Sequence, residues 1–394
     1  MKFKGITYDV GSVMDGNWRP SFDMKVVHRE LEIIKNDLHC NAVRIRGFDI
    51  DRLMKSAEDA LGQGLHVWLS PEMWNKSPKK TMDYIVRAAE RAEKLRQKWP
   101  DHLVLVIGGE LTLFMQGIVP GKNVTQRFGN PASQEILKAG KHNTPLNAWL
   151  ALANEAVRKV FHGRVTYASL VWETINWSRF DFVGIDHYRA AKIKDKYIEM
   201  LQPAFATGKP VIITEFGVRT YRGADTSVEG LAGDIRDFRP NLFITIGYVL
   251  NKMLSTFDIQ KAPVRFKLKK GHVRDEEMQA RELVVQLEIL DKAGVEGSFV
   301  STFISPIDPY NEDPSHDFDM NSYSLVKTLT GGKHGQLTLI WCGNLKNHSK
   351  RLEIITLNIS CPDSWVHEFH TPSLLIFYQC FFDHRSINHN CRQL

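Results

Sequence analysis

Two glutamates close short apolar runs. Leu103–Ile107 leads through Gly108-Gly109 to Glu110, and Val211–Thr214 leads to Glu215, followed at once by Phe216-Gly217. Two carboxyl groups at strand ends are the minimum equipment for cleaving a glycosidic bond. One must be protonated to donate to the leaving oxygen; the other must be ionised to attack the anomeric carbon or activate water. Glu110 suits the acid, because desolvation beside Gly108, Gly109 and Leu111 would raise its pKa. Glu215 suits the nucleophile, with Arg44 and the Tyr188 hydroxyl able to keep it ionised and oriented. Trp74, Trp172 and Phe303 offer flat apolar faces on which a sugar ring can stack.

The other strand ends add Asp9, Arg46, Glu72, Glu173, Asp186, His187 and Asp308. Arg46 fits either a ligand-facing role or an ion pair with Asp49 or Asp51. Glu173 is the main rival to the two glutamates as a carboxylate in the site. Asp186-His187 could seed a metal site, but no HxH follows the first strand and no HExxH occurs, so neither a metal nor another cofactor is expected. Asp313, Asp317 and Asp319 lack the spacing and glycine of a calcium loop and read as loop-shaping residues. There is no GxSxG, and Cys40 precedes its strand, at the wrong end for catalysis.

The elements that must carry these residues alternate. Strands are expected at Ile6–Tyr8, Ala42–Ile45, Leu65–Leu69, Leu103–Ile107, Val165–Val171, Asp181–Asp186, Val211–Thr214 and Gly297–Phe303. The apolar stripe Val27, Leu31, Ile34, Leu38 predicts a helix over Met24–Leu38. Further helices are expected over Asp51–Leu61, from Ser77-Pro78 to about Trp99, over Ala132–Val160 with a break near Gly140, and over Tyr197–Phe205, Asp275–Ala293 and Asp319–Leu329. Eight strands separated mainly by helices give an α/β fold, a (β/α)₈ TIM barrel over residues 1–330. An open doubly wound sheet would want a glycine-rich phosphate turn after the first strand, and Asp9-Val10-Gly11-Ser12 supplies none. Ala232–Gly271 is too long for an ordinary loop and reads as an insertion after the seventh strand. Residues 331–394 form a C-terminal extension.

The chain has 394 residues and a formal charge of +6. The window Leu231–Arg274, with nine basic and three acidic residues, carries all of that excess. It reads as a solvated insertion, so nucleic acid is not expected as a partner, although a basic cluster could touch nucleic acid or phospholipid. No apolar run reaches membrane-spanning length, and the start of the chain lacks a basic-then-apolar leader, so a cytoplasmic protein is expected. Five cysteines without CxxC spacing argue against a disulfide framework. Nothing in the sequence bears on oligomeric state.

Together, the two glutamates, Arg44 in Asn41-Ala42-Val43-Arg44 and Tyr188 in Asp186-His187-Tyr188 resemble the clan A retaining glycoside hydrolases. The resemblance implies Glu110 as acid/base, Glu215 as nucleophile, and Arg44 and Tyr188 as contacts of the nucleophile. More closely, the chain looks like a group of TIM-barrel proteins often labelled abortive infection proteins. The stretches that carry this are Asp37–Ile45, Gly108–Phe114, Phe180–Arg189, Thr214–Gly217 and His316–Met320, within residues 3–230 and 272–330. Two positions depart from the clan's pattern. Gly109 stands where most members have an asparagine that binds the sugar 2-hydroxyl, and Phe303 stands where a tryptophan platform is usual.

The expected function is therefore a metal-independent glycosidase of carbohydrate metabolism acting with retention on a small-molecule or oligosaccharide substrate. Glu110 and Glu215 are its catalytic pair, and Arg44, Arg46, Trp74, Trp172, Glu173, Asp186, His187, Tyr188 and Phe303 contact the substrate. The rival reading is a catalytically inactive carbohydrate-binding or interaction barrel.

Overall fold

Eight parallel strands close into a barrel: β1 (Phe3–Asp9), β2 (Ala42–Gly47), β3 (His66–Pro71), β4 (Leu103–Gly109), β5 (Arg164–Leu170), β6 (Val183–Asp186), β7 (Val211–Phe216) and β8 (Gly297–Val300). Each pairs with its sequence neighbour, and β8 returns to β1 with Phe3 opposite Gly297. The computed structural model describes residues 1–11, 19, 22–226, 236–237, 267–268, 272–330, 337–338 and 367–369. The fold is thus the (β/α)₈ TIM barrel expected from the alternation of elements.

Side chains along a strand alternate between its two faces. In this barrel the odd-numbered residues of β1 and the even-numbered residues of β2 and β3 face inward. Phe3, Ala42, Trp68, Val104, Val106, Ala168, Phe182, Ile212 and Phe299 form one buried inner cluster. Its aromatic rings meet edge-on or tilted, with Trp68 4.9 Å from Phe182 and 5.3 Å from Phe299. They make a solid floor. Gly5 is required there, because a Cβ at that position would run into the Phe299 ring. The opposite parity, including Val43, Ile45, Val67 and Leu69, packs against the surrounding helices.

Those helices begin where capping residues stand. Asp23 caps α1 (Met24–Glu32), which continues as one wider turn over Ile33–Asp37. Asp49 caps α2 (Ile50–Gly62), accepting from Asp51 N and Arg52 N. Ser77 caps α3 (Pro78–Lys98) with proline in its first turn, as the Ser-Pro pair predicts. After the single turn α4 (Leu111–Phe114) and α5 (Val124–Gly129), the expected long helix appears as α6 (Pro131–Lys138) and α7 (Asn143–Arg158). The break falls at Gly140, whose φ is +67°. Beyond these come α8 (Gln202–Phe205) and α9 (Glu276–Lys292).

Three expectations need correction. The helix expected over Tyr197–Phe205 shrinks to α8 and the 3₁₀ turn Glu199–Leu201 before it. The eighth barrel strand stops at Val300, three residues before Phe303. The helix expected over Asp319–Leu329 does not form. Phe318–Asn321 is one 3₁₀ turn, and Val326–Thr330 is a strand, β10, running parallel to β9 (Ile304–Tyr310). Its would-be helix is diverted by hydroxyls. Ser322 Oγ donates to Asp319 O at 2.8 Å, and Ser324 Oγ donates to Asp319 Oδ1 at 2.9 Å, competing with the helical ladder.

Most of the insertion 232–271, including Leu242–Leu250, and most of the tail 331–394, including Leu374–Tyr378, lie outside the described residues. Of the insertion, Arg236–Asp237 pairs antiparallel with Lys267–Leu268. Of the tail, Leu337–Thr338 and His367–Phe369 pair antiparallel with β10. Among the described residues, no helix is long and apolar enough to cross a membrane.

Candidate active site

Parity puts Arg44 and Arg46 on the same inner face as Ala42, one and two steps above the floor. Arg44 is 1% exposed. Its Nη1 donates to Glu215 Oε1 at 2.8 Å and to the carbonyl of Thr214 at 3.2 Å; its Nη2 donates to Glu72 Oε1 at 3.1 Å and Ser70 Oγ at 3.3 Å. Arg46 donates from Nη1 to Glu215 Oε1 at 2.9 Å and from Nε to Asp9 Oδ2 at 3.3 Å. It pairs with neither Asp49, which caps α2, nor Asp51, which pairs with Arg91. Tyr188 donates its hydroxyl to Glu215 Oε2 at 2.8 Å. Both oxygens of Glu215 are therefore held by protein donors, two guanidinium groups on one and a phenol on the other.

The electrostatics split the carboxyl groups. Burial acts to raise the Glu215 pKa, but the Arg46 and Arg44 charges and the Tyr188 hydrogen bond outweigh it and bring it below the usual carboxylate value. Glu110 goes the opposite way. Burial of its carboxyl and the charges of Asp186, Glu215, Glu173 and Glu72 hold its pKa well above that value. Asp186 is raised to about 8 by burial and by Glu215, against Arg44 and the Thr214 hydroxyl, which donates to it at 2.6 Å. Glu72, also buried, is raised by desolvation despite Arg46 and Arg44. Glu215 is thus pushed towards the ionised form, and Glu110, Asp186 and Glu72 towards the protonated one.

Glu110 sits immediately after β4 in the left-handed region, φ +48° and ψ +40°. That conformation costs a non-glycine residue about 1 kcal/mol or more. The turn is held by Glu110 N donating to Ala168 O at 2.8 Å and by Leu113 N and Phe114 N returning to Glu110 O. The carboxyl makes no capping hydrogen bond to its own helical turn. Beside it, a Cβ on Gly109 would lie 3.3 Å from Arg44 Nη2, so the arginine already fills the space there.

Trp74 follows β3 and Trp172 follows β5. Trp74 lies flat on Phe114, ring centroids 3.7 Å apart, and is half-buried. Trp172 is 40% exposed and meets His142 edge-on. A cavity of about 170 Å³ adjoins Tyr188 and Asp186, with Trp172, Arg219, Tyr221 and Tyr323 among its walls.

Three of the expected contacts are engaged with protein, and one of them, His187, also lines the cavity. Phe303 is fully buried and packs near Tyr8, ring centroids 6.1 Å apart, so it offers no ring to a ligand. The chain has already left the barrel wall at Val300, which turns Phe303 away from the mouth. The His187 ring stacks on Tyr197 at 4.2 Å and bonds its carbonyl through Nε2 at 2.7 Å. Burial lowers its pKa to about 4, so it is neutral at physiological pH. Glu173 accepts from Thr112 N, Leu170 N and the Tyr167 hydroxyl.

Glu72 and Asp9, both among the strand-end residues, join the site through Arg44 and Arg46. Both share the inward parity of their strands, which is a readable signal. Tyr323 and Arg219 arrive on loops and carry no such signal. Among the described residues, no group of three His, Cys, Asp or Glu is arranged to hold a metal ion.

No family model matches the chain, and no curated protein does. Among solved structures it is similar to a GH113 β-1,4-mannanase (14% identity, TM-score 0.49, covering 82% of this chain and 95% of the other). It is also similar to a GH113 β-mannanase from Alicyclobacillus acidocaldarius in complex with ManMIm (15% identity, TM-score 0.47, 82% and 93%). A third is the β-glucuronidase 2 of Bacteroides uniformis (14% identity, TM-score 0.48), where the match covers 83% of this chain and 33% of the other.

Proposed function

We propose that the protein is a retaining glycoside hydrolase in which Glu215 is the nucleophile and Glu110 the acid/base. The observation that carries this is the opposed proton affinity of the two groups. Glu215 is held ionised by Arg44, Arg46 and Tyr188, while Glu110 is held protonated by burial and surrounding acid groups. In the first step a Glu215 oxygen bonds to the anomeric carbon, the bond to the leaving oxygen breaks, and Glu110 gives that oxygen its proton. In the second, Glu110 takes a proton from water as the water oxygen displaces Glu215 from the sugar. Both glutamates return to their starting states.

Oε2 of Glu215 accepts one hydrogen bond and Oε1 two, so Oε2 is the freer oxygen for attack. Trp74 and Trp172 serve as sugar platforms, and Asp186 and Arg46 line the ground around the nucleophile. The substrate is a small glycoside or an oligosaccharide, the location cytoplasmic, and the chemistry complete without a resident cofactor.

Retention requires the carboxyl groups to work about 5–5.5 Å apart. Mass spectrometry after incubation with activated 2-fluoro glycosides tests the mechanism directly. Label on a peptide containing Glu215, lost in Glu215→Gln, is the expected result. Full turnover by Glu215→Gln would reject it. Gly109, standing where the clan that the chain resembles mostly has the asparagine that binds the sugar 2-hydroxyl, motivates a second reading, a sugar-binding barrel without turnover. Calorimetric sugar binding with no hydrolysis across the same glycosides would select that reading.

A further inference from the structure

We propose that Glu173 is a positioning residue for Glu110: from beyond β5 it caps the backbone turn that presents Glu110, leaving the Glu110 carboxyl free to face a ligand. The proposal rests on Glu110 being the acid/base.

The first amide groups of a helical turn lack partners inside it and are usually met by the side chain just before it. In α4 that side chain is Glu110, and it does not perform the task. Two residues of the neighbouring chain segment perform it instead. Leu111 N donates to the Tyr167 hydroxyl oxygen at 2.8 Å, and Thr112 N donates to Glu173 Oε1 at 3.3 Å. The Tyr167 hydroxyl in turn donates to Glu173 Oε2 at 3.0 Å, and Leu170 N donates to the same oxygen at 3.0 Å. Glu173 therefore ties the two residues after Glu110 to the end of β5, the strand that also receives the Glu110 N to Ala168 O bond. Leu111, Thr112, Tyr167, Leu170 and Glu173 are all buried. Glu173 reaches the turn directly through Oε1 and, by way of the Tyr167 hydroxyl, through Oε2.

The arrangement also acts through charge. Glu173 is one of four acid groups that raise the proton affinity of Glu110, with Asp186 from β6, Glu215 from β7 and Glu72 after β3. Its own pKa lies at about 7, lifted by burial and lowered by its donors. All the hydrogen bonds described use it as an acceptor, which suits the ionised form. In that form it both anchors the turn and keeps a proton on Glu110.

The test uses the full chain labelled with carboxyl-¹³C glutamate, the Glu110 signal being identified by its loss in Glu110→Gln. Glu173→Gln is expected to lower the Glu110 titration midpoint and to speed amide hydrogen exchange at Leu111 and Thr112 about tenfold. A midpoint that does not move, or amides that exchange as in the parent, overturns the proposal. If Glu173→Gln does not fold, Tyr167→Phe takes its place, withdrawing the hydroxyl between Leu111 and Glu173. Exchange at Leu111 about tenfold faster is then expected, and unchanged exchange overturns the proposal. Neither readout needs a substrate. Full turnover by Glu110→Gln would end the acid/base reading and is distinguishable from both. With a cleavable aryl glycoside, Glu173→Gln should lower kcat more than it changes KM and move the alkaline limb to lower pH. Glu173→Asp, which keeps the charge, should restore that limb.

Discussion

Arg44 Nη1 lies 2.8 Å from Glu215 Oε1 across the barrel lumen, joining β2 to β7, two strands that are not neighbours in the sheet. Both groups are buried, and the same guanidinium also reaches Glu72. Removing one member of such a pair leaves an uncompensated charge in the interior, at a cost of about 3–5 kcal/mol. Arg44→Met is therefore expected to lower the urea midpoint by that equivalent and to abolish turnover. Arg44→Lys keeps the charge but cannot span Glu215, Thr214, Ser70 and Glu72 together. It should fold and lose at least about tenfold in kcat. Parent-like stability of Arg44→Met would show that the pair contributes nothing to folding.

Tyr188 supplies the single hydrogen bond on Glu215 Oε2. In the proposed mechanism activity needs Glu215 ionised, and the lowered pKa of that carboxyl is expected to put the acid limb of kcat/KM below the usual carboxylate range. Tyr188→Phe withdraws one of the groups that depress it, so the limb should move to higher pH. The bond also helps aim the carboxylate, and its loss should reduce kcat by about tenfold. Rate measurements from pH 3 to 8 read both effects; an unmoved limb would mean that the two guanidinium groups alone set the ionisation.

Asp186 gives a stability signature of opposite sign. Its folded pKa, about 8, lies above that of an unfolded aspartate. The folded state therefore binds the extra proton between roughly pH 4 and 8, and stability must fall as pH rises through that window. Asp186→Asn keeps an oxygen for the Thr214 hydroxyl and removes the titration. Urea midpoints at pH 5, 6.5 and 8 should then show a shallower decline in the variant than in the parent. Parallel curves would mean that Asp186 does not hold its proton in the fold.

The sites of these predictions differ in how readable they were. Mostly apolar runs of three to seven residues located every barrel strand, because a strand enclosed on both faces needs few polar side chains. The placement of Arg44, Glu110, Tyr188 and Glu215 followed from their positions at strand ends. Glu72 obeys the same parity as Trp68 and Ser70, yet a terminal glutamate after proline resembles any solvated loop residue until its arginine partner is seen. The stretch after Asp319 was misread for a physical reason. Its apolar spacing fits a helix as well as a strand, and only the contacts of Ser322 and Ser324 with Asp319 decide against the helix. Arg219 and Tyr323 reach the cavity on loops, whose paths no local periodicity encodes.

Phe303 and Trp74 separate packing from recognition. Both are aromatic residues beyond strand ends, and sequence alone assigns them the same sugar-stacking role. Phe303 is fully enclosed, so Phe303→Ala leaves a cavity and should cost about 3–5 kcal/mol, with KM within about twofold of the parent. Trp74 is half-buried and rests on Phe114 by one face. Trp74→Ala should disturb stability far less and raise KM about tenfold, the loss of one stacking surface for a sugar ring. Urea unfolding and initial rates on a common glycoside measure both. A large KM effect at Phe303 would require its ring to reach the mouth after all, and none at Trp74 would move the sugar platform to Trp172 alone.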